Sequence, residues 1–305
     1  MRLLAVLVTF NRLAKLRPTL GRLLAEPALS GVIVVDNASG DGTGDWLREE
    51  AARHGRLDVL TLADNLGGAG GFHAGLARAL ARKDWDHVLL QDDDAWPSDG
   101  CLARYVAQTP AAEVLAAAVY FPDGRVCDMN RPRRVPFLSP LAVLRQRGMA
   151  VPDSAYGGPA VPVDMSSFVG LFLSRAAVEA VGLPDPAFFL YGDDWDYTLR
   201  LRKAGFRILF DPALPYTHDC ASLKAADAPY ARLWQWYYSC RNALILQRKM
   251  LGPLAIPLRW LRLRQWRRQC DRYPDPAQAR AALALAVRDA RENPTPLRSP
   301  ADVEC

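Results

Sequence analysis

Along the first part of the chain, short runs of consecutive apolar residues alternate with longer segments in which apolar residues recur every three to four positions. Leu3–Val8, Gly31–Asp36, Leu57–Leu62 and His87–Gln91 read as strands whose aliphatic content suits burial on both faces. Leu13–Leu24, Gly42–Arg53 and Gly70–Arg82, which lie between them, carry helical periodicity. Short joints between such units call for right-handed crossovers, and hence a parallel sheet covered by helices on both faces. The predicted class is α/β.

The pattern then loosens. A helix is expected near Cys101–Gln108 and a strand near Val114–Phe121. Cys127–Pro162, rich in proline and arginine, reads as a partly mobile surface segment near a site. Regular structure resumes at Val161–Phe172 and Arg207–Phe210. From Tyr230 onward the pattern is helical, with Ala277–Arg291 amphipathic and the tail Asn293–Cys305 expected to fray. The organisation predicted is a unit over residues 1–220 and a helical C-terminal region over 221–305.

Composition narrows the classes. With 305 residues, 50% of them hydrophobic and 23% charged, the chain is globular and not disordered. Six cysteines lie far apart without a CxxC pair, which suggests neither a disulfide framework nor a zinc site and fits a reducing cytoplasm. Leu3–Val8 lacks a small-residue cleavage site and reads as a first strand, not a signal peptide. Met250–Leu258 is interrupted by Pro253 and Pro257 and falls far short of the roughly 20 residues that span a bilayer. The net charge of +5 is unevenly spread: residues 216–305 hold 15 Lys/Arg against 8 Asp/Glu.

The candidate chemistry starts at Gln91-Asp92-Asp93-Asp94, which follows directly on Val88-Leu89-Leu90. Three carboxylates at the end of a buried strand are costly unless a cation or donors compensate them. On this reading Asp92 and Asp94 project to one side and offer hard oxygen ligands to Mg²⁺ or Mn²⁺, with a nucleotide diphosphate as guest. The alternative is a solvated acidic turn before Trp96-Pro97-Ser98-Asp99-Gly100. Three further strand ends fall on the same rim, where ligands of open parallel sheets collect: Thr9-Phe10-Asn11-Arg12, Val35-Asp36-Asn37-Ala38-Ser39 and Asp64 to Gly71. Asp36 is suited to accept from a pyrimidine N–H, Asn65 to orient base or ribose, and Arg12 to reach the diphosphate. Against this, Asn37, Ser39 and Asp41 are good capping residues and the glycines good turn residues. The glycine run echoes a dinucleotide fingerprint but follows the third strand, not the first.

A second acidic cluster, Tyr191-Gly192-Asp193-Asp194-Trp195-Asp196-Tyr197, opens a helix near Asp194. Its carboxylates either sit at the positive helix end for stability alone or include a general base for a hydroxyl. His218, after the last predicted strand, is either an ordinary surface or core histidine or a metal ligand returned to the triplet.

Together VTFNR (8–12), VVDNASGDGT (34–43), NLGGAGGF (65–72), QDDDA (91–95) and YGDDWDYTLRLRKAGF (191–206) resemble the inverting glycosyltransferases of family 2, over residues 1 to about 220. The set is most similar to bacterial galactofuranosyltransferases, with rhamnosyltransferases as near relatives. The resemblance implies a GT-A fold, mostly parallel sheet flanked by helices, with a C-terminal helical extension. It implies that Asp92, Asp94 and His218 hold Mn²⁺ or Mg²⁺, and that Asp36 and Asn65 hold uridine or thymidine. Thr9, Asn11, Arg12, Gly68, Asp92 and Asp93 would complete the donor contacts, Asp194 would be the base, and Asp193 and Trp195 would face the acceptor. Trp195 stands where those enzymes often have a smaller residue, which bears on acceptor preference. The implied reaction is a single displacement with inversion, from UDP-galactofuranose to a glycan or lipid-linked acceptor. Transfer from dTDP-rhamnose, and a non-catalytic nucleotide-sugar-binding protein, are the alternatives; a nucleotidyltransferase would not need the Asp194 to His218 arrangement.

Arg241–Arg272 holds nine Lys/Arg and one acid, Asp271, interleaved with Leu258, Trp260, Leu261, Leu263 and Trp266. Such a segment suits an anionic membrane surface carrying lipid-linked acceptors, which places the protein in the cytoplasm at the inner face of the membrane. Packing on the first unit, a homo-oligomer contact and nucleic acid are the other readings, the last least favoured.

Overall fold

The computed structural model describes residues 1–107, 112–135, 149–220, 230 and 232–292. The expected tail, the junction at 220/221 and part of the Cys127–Pro162 stretch therefore lie outside the described residues.

The first part alternates as its periodicity predicts: β1 (Leu3–Thr9), α1 (Leu13–Ala25), β2 (Leu29–Asp36), α2 (Thr43–Arg53), β3 (Leu57–Thr61), α3 (Gly67–Ala81) and β4 (His87–Asp92). There follow β5 (Ala95–Pro97), α4 (Cys101–Ala107), β6 (Val114–Tyr120), β7 (Val161–Val163), β8 (Leu171–Ser174), α5 (Arg175–Val181), α6 (Asp193–Lys203) and β9 (Ile208–His218). Three long helices close the described chain: α7 (Leu233–Leu251), α8 (Ala255–Cys270) and α9 (Pro276–Glu292).

One sheet runs in the order β3-β2-β1-β4-β8-β6-β9-β5, with β7 paired to β9. The four strands of the first part are mutually parallel. Beyond β4 the sheet becomes mixed, because β8 enters antiparallel between β4 and β6. An antiparallel neighbour needs no crossover helix, so nothing in the local pattern announces it.

Alternation along β1 divides the core. Leu3, Ala5 and Leu7 pack with Leu16, Leu20 and Leu23 of α1 on one face. Leu4 and Val6 join Phe72, Leu76 and Ala79 of α3 on the other. The glycine run is not a loop before α3; it is the first turns of α3, which begins three residues earlier than the periodicity predicts. Its spacing has a packing cause: a Cβ on Gly71 or Gly75 would come within 2.4 Å of Val8 or Val6. A third cluster joins Phe188, Phe189 and Ala69 to Trp236, Tyr238, Ile245, Trp266 and Leu283, so the C-terminal helices share a core with the segment ahead of α6.

Candidate active site

β4 ends at Asp92; Asp93 and Asp94 form a turn, and β5 then pairs antiparallel with β9 in the register Ala95↔His218. The amide of Asp219 donates to the Asp94 carbonyl at 2.9 Å. His218 Nε2 lies 3.1 Å from Asp94 Oδ1 and 4.0 Å from Asp92 Oδ2. Asp92 and Asp94 thus converge through a turn and a distant strand register, not through the strand alternation expected from sequence. One ligand atom from each of Asp92, Asp94 and His218 falls within 4.8 Å of the others.

His218 is only 4% exposed. Its Nδ1 donates to Asn130 Oδ1 at 2.7 Å, and Asn130 Nδ2 donates to Ser167 Oγ at 3.0 Å, which fixes the amide. With Nδ1 bonded to Asn130, Nε2 is the ring atom that faces Asp92 and Asp94. Burial opposes charge on this ring, yet the bond to Asp94, the Cys127 and Cys220 thiols and the charge of Asp92 together push its pKa up to about 12. A protonated ring here offsets the charge of the two facing carboxylates, whereas only the neutral ring, with Nε2 free of hydrogen, could ligate a cation. Two hard oxygens and an imidazole form a donor set that also fits a divalent cation.

Asp93 points the other way. It is buried, accepts from Thr9 Oγ1 at 2.7 Å and pairs with Arg12 at 3.1 Å. Burial pushes it up to about 7 despite Arg12 and Thr9. Arg12 also pairs with Asp94, so its guanidinium is turned onto the triplet rather than standing free for a diphosphate. The remaining rim residues have internal partners too. Asp36 accepts from the Ser39 amide at 3.0 Å, Asn11 from the Gly40 amide at 2.7 Å, and Asn65 from the Gly67 amide at 2.9 Å. Asn37 brackets the start of α3, accepting from Leu66 N and donating to Gly67 O. Gly68 faces open space, with no atom within 4 Å of an added Cβ.

A cavity of about 730 Å³ runs from Gly68, Phe72 and Asp92 past Asp193, Asp194 and Trp195 to the C-terminal helices. The two aspartates enter it from the first turn of α6, after a loop with positive φ at Phe189 (59°), Tyr191 (69°) and Gly192 (81°). Asn242 of α7 holds that loop, donating through Nδ2 to the carbonyls of Phe188, Leu190 and Tyr191 at 2.9, 2.9 and 2.8 Å. Asp194 Oδ1 accepts from the Trp195 amide at 2.7 Å. Burial, and then the like charge of Asp193, hold Asp194 well above the usual carboxylate range; Asp193 itself is pushed up to about 7 by burial. Asp196 is ion-paired with Arg200 at 3.1 Å and Lys249 at 2.6 Å. The Arg133 guanidinium lies 4.8 Å over the Trp195 ring, and the charge of Asp194 partly offsets the burial that lowers its pKa.

Sequence reasoning did not single out Asn130, Arg133, Asn242 or the pairing of Cys127 and Cys220 around His218. Asn130 and Arg133 fall in the proline-bearing stretch read as lying near a site; the two cysteines carry no spacing signal, being brought together only by β6 and β9.

The chain matches the glycosyltransferase-like family 2 over residues 2–237. It is 36% identical over 226 residues to galactofuranosyltransferase GlfT1 of Mycobacterium tuberculosis, covering 72% of this chain and 70% of that protein. It is 31% identical over 217 residues to undecaprenyl-phosphate mannosyltransferase of Micrococcus luteus, covering 70% and 82%. Mannosyltransferase PcManGT from Pyrobaculum calidifontis, in complex with GDP-Man and Mn²⁺, superposes with a TM-score of 0.54 at 18% identity, covering 96% of this chain and 75% of that one.

Proposed function

The chain belongs to glycosyltransferase family 2, and from that premise we propose that this GT-A enzyme moves galactofuranose from UDP-galactofuranose to a hydroxyl of a glycan or lipid-linked acceptor in bacterial surface polysaccharide synthesis. The observation that carries the reading is the meeting of Asp92, Asp94 and His218 at one end of a cavity that Asp194 also lines.

In this proposal residues 1–220 form the catalytic domain and 221–305 an acceptor- and membrane-associated region. Asp92, Asp94 and His218 would hold Mn²⁺ or Mg²⁺, which when bound neutralises the charge developing on the departing diphosphate. Asn130 keeps the His218 ring turned with Nε2 inward. Asp194, with one oxygen fixed by the Trp195 amide, takes the acceptor proton on its other oxygen while the hydroxyl attacks the anomeric carbon, and configuration inverts. Its raised pKa brings its basicity toward that of the task. Arg12 keeps two members of the triplet charge-balanced.

The membrane part of the proposal rests on the outward face of α8. Ile256 and Trp260 are 72% and 62% exposed, Leu261 lies beside them, and Arg264, Arg267 and Arg268 follow. Among the described residues no helix is long and apolar enough to cross a bilayer, so the contact proposed is peripheral, at the inner face of the cytoplasmic membrane.

The test is calorimetric titration with UDP and dTDP, each with and without Mn²⁺, on the wild type and Asp94→Ala. UDP binding that needs Mn²⁺ and vanishes in the variant is expected. Preference for dTDP would move the donor to rhamnose, and no binding of either would overturn the reading.

A further inference from the structure

The fold assembles a second donor set that no spacing in the sequence announces. Cys127 follows β6, where its amide donates to the Val119 carbonyl at 3.0 Å, and Cys220 lies just past the end of β9. β6 and β9 run parallel with Tyr120 opposite Thr217, so both cysteines arrive beside His218. One ligand atom from each of Cys127, Cys220 and His218 falls within 4.8 Å of the others. Both cysteines are free thiols. The Cys127 thiol is buried and donates to Asn130 Oδ1 at 3.0 Å, the same oxygen that accepts from His218 Nδ1 at 2.7 Å. Cys220 is half-buried with its Sγ 3.2 Å from Met129 Sδ, and Met129, Asn130 and His218 line the cavity, so an ion reaches the cluster from solvent.

Two thiols and an imidazole are softer donors than the oxygens of Asp92 and Asp94, and they form a set that selects Zn²⁺ over Mg²⁺ or Mn²⁺. Tetrahedral Zn²⁺ with bonds of about 2.0–2.3 Å holds its donors about 3.3–3.8 Å apart, so a closure of about an ångström brings the three groups into place and leaves the fourth position to water. Each thiol gives its proton to solvent as its bond to zinc forms. We propose that Cys127, Cys220 and His218 form a Zn²⁺ site that shares its histidine with Asp92 and Asp94. The ring is held between Asn130 on one side and the carboxylates on the other, and a bond to zinc draws it toward the sulfurs. His218 is then withdrawn from the oxygen pair, and Zn²⁺ lowers the affinity of that pair for Mn²⁺ or Mg²⁺. Zinc binding stands apart from the transferase reading; the antagonism rests on the role given there to Asp92, Asp94 and His218.

The test titrates the metal-free full chain, its thiols kept reduced with a phosphine, with Co²⁺ as a spectroscopic stand-in for Zn²⁺. The expected result is a thiolate-to-cobalt charge-transfer band that saturates at one equivalent, is abolished by Zn²⁺ and persists in Asp94→Ala. Cys127→Ala and Cys220→Ala should each bind Zn²⁺ at least tenfold more weakly in competition with a chromophoric chelator; the half-buried Cys220 serves if the buried Cys127 variant does not fold. In a second arm, Mn²⁺ binding in the presence of UDP is followed by the paramagnetic resonance signal of free Mn²⁺. One equivalent of Zn²⁺ is expected to weaken it at least tenfold in the wild type and less than threefold in Cys220→Ala. No charge-transfer band in the wild type, or an unchanged band in Cys220→Ala, would overturn the zinc site. Equal weakening in both proteins would place zinc on the carboxylates, and no weakening in either would separate the two sites; both outcomes overturn the shared histidine. A wild type that binds no Mn²⁺ with UDP would instead overturn the transferase reading, with the cobalt spectrum still deciding the zinc site.

Discussion

Asn130 accepts the Nδ1 hydrogen bond of His218 at 2.7 Å while its own amide nitrogen is tied to Ser167, so the ring that meets Asp92 and Asp94 is oriented from a loop about 90 residues away, as the span from Asn130 to His218 shows. Partners of this kind that orient a metal-binding histidine are commonly worth 10–100-fold in metal affinity. Asn130→Ala is expected to weaken Mn²⁺ binding in the presence of UDP by roughly that factor, measured by calorimetry, with the overall fold retained by circular dichroism.

Asp194→Asn is expected to lower kcat by about 10²–10⁴-fold, the range of a lost general base, while UDP affinity holds. In the proposed role the base must be ionised, so with the Asp194 pKa raised, activity is expected to fall as pH drops through a value above the ordinary carboxylate range. Asp193→Asn removes a like charge that raises Asp194, and the acid limb of the kcat profile should move to lower pH. An unmoved limb would detach Asp194 from it.

Adjacent glycines at the start of α3 should respond oppositely. Gly67 has φ +71°, and a Cβ there would lie 2.1 Å from the Phe189 carbonyl oxygen. Gly67→Ala is expected to cost about 1–3 kcal/mol or more in chemical denaturation. Gly68 has open space around it, so Gly68→Ala should be neutral or stabilising by up to about 1 kcal/mol, with its effect confined to the KM for donor.

Reversing Arg264, Arg267 and Arg268 to Glu is expected to weaken binding to phosphatidylserine-containing vesicles by roughly a hundredfold or more, given about 1 kcal/mol per surface cation. Vesicle sedimentation measures this, and binding should also weaken with salt. Salt-resistant binding by the triple variant would remove the electrostatic contact.

Asn242→Leu leaves three carbonyls of the loop at Phe188, Leu190 and Tyr191 without their shared donor. The loop residues with positive φ then lose the contact that holds them, and Asp193 and Asp194 with them. Turnover should fall much further than Tm, measured on the same preparation.

How much of this was legible in the sequence divides along physical lines. β1 to β4 and the helices between them were readable because runs of aliphatic residues and 3.6-residue periodicity are local signals. Asp92, Asp94, Asp194 and His218 stood out because charge at a strand end or helix start is conspicuous. The insertion of β8 beside β4 depends on pairing between distant segments and leaves no local mark. The inward turn of Arg12 depends on the positions of Asp93 and Asp94, which only the folded β4 turn sets. Asn130 and Asn242 are single polar residues in irregular or helical surroundings, and only the folded neighbourhood gives each its meaning.

The register of β5 on β9 has a consequence for synthesis. Asp92 and Asp94 leave the ribosome more than a hundred residues before His218, the residue that Asp94 meets at 3.1 Å. Until β9 docks, the nascent N-terminal half carries three adjacent carboxylates answered, among the described residues, by Arg12 and Thr9. A side-chain period of two means that a one-residue slip in β9 would turn His218 to the opposite face. Assembly of the three-residue cluster therefore reports that β9 has joined the sheet in register, and in the proposed role the cluster can hold a cation only after that step.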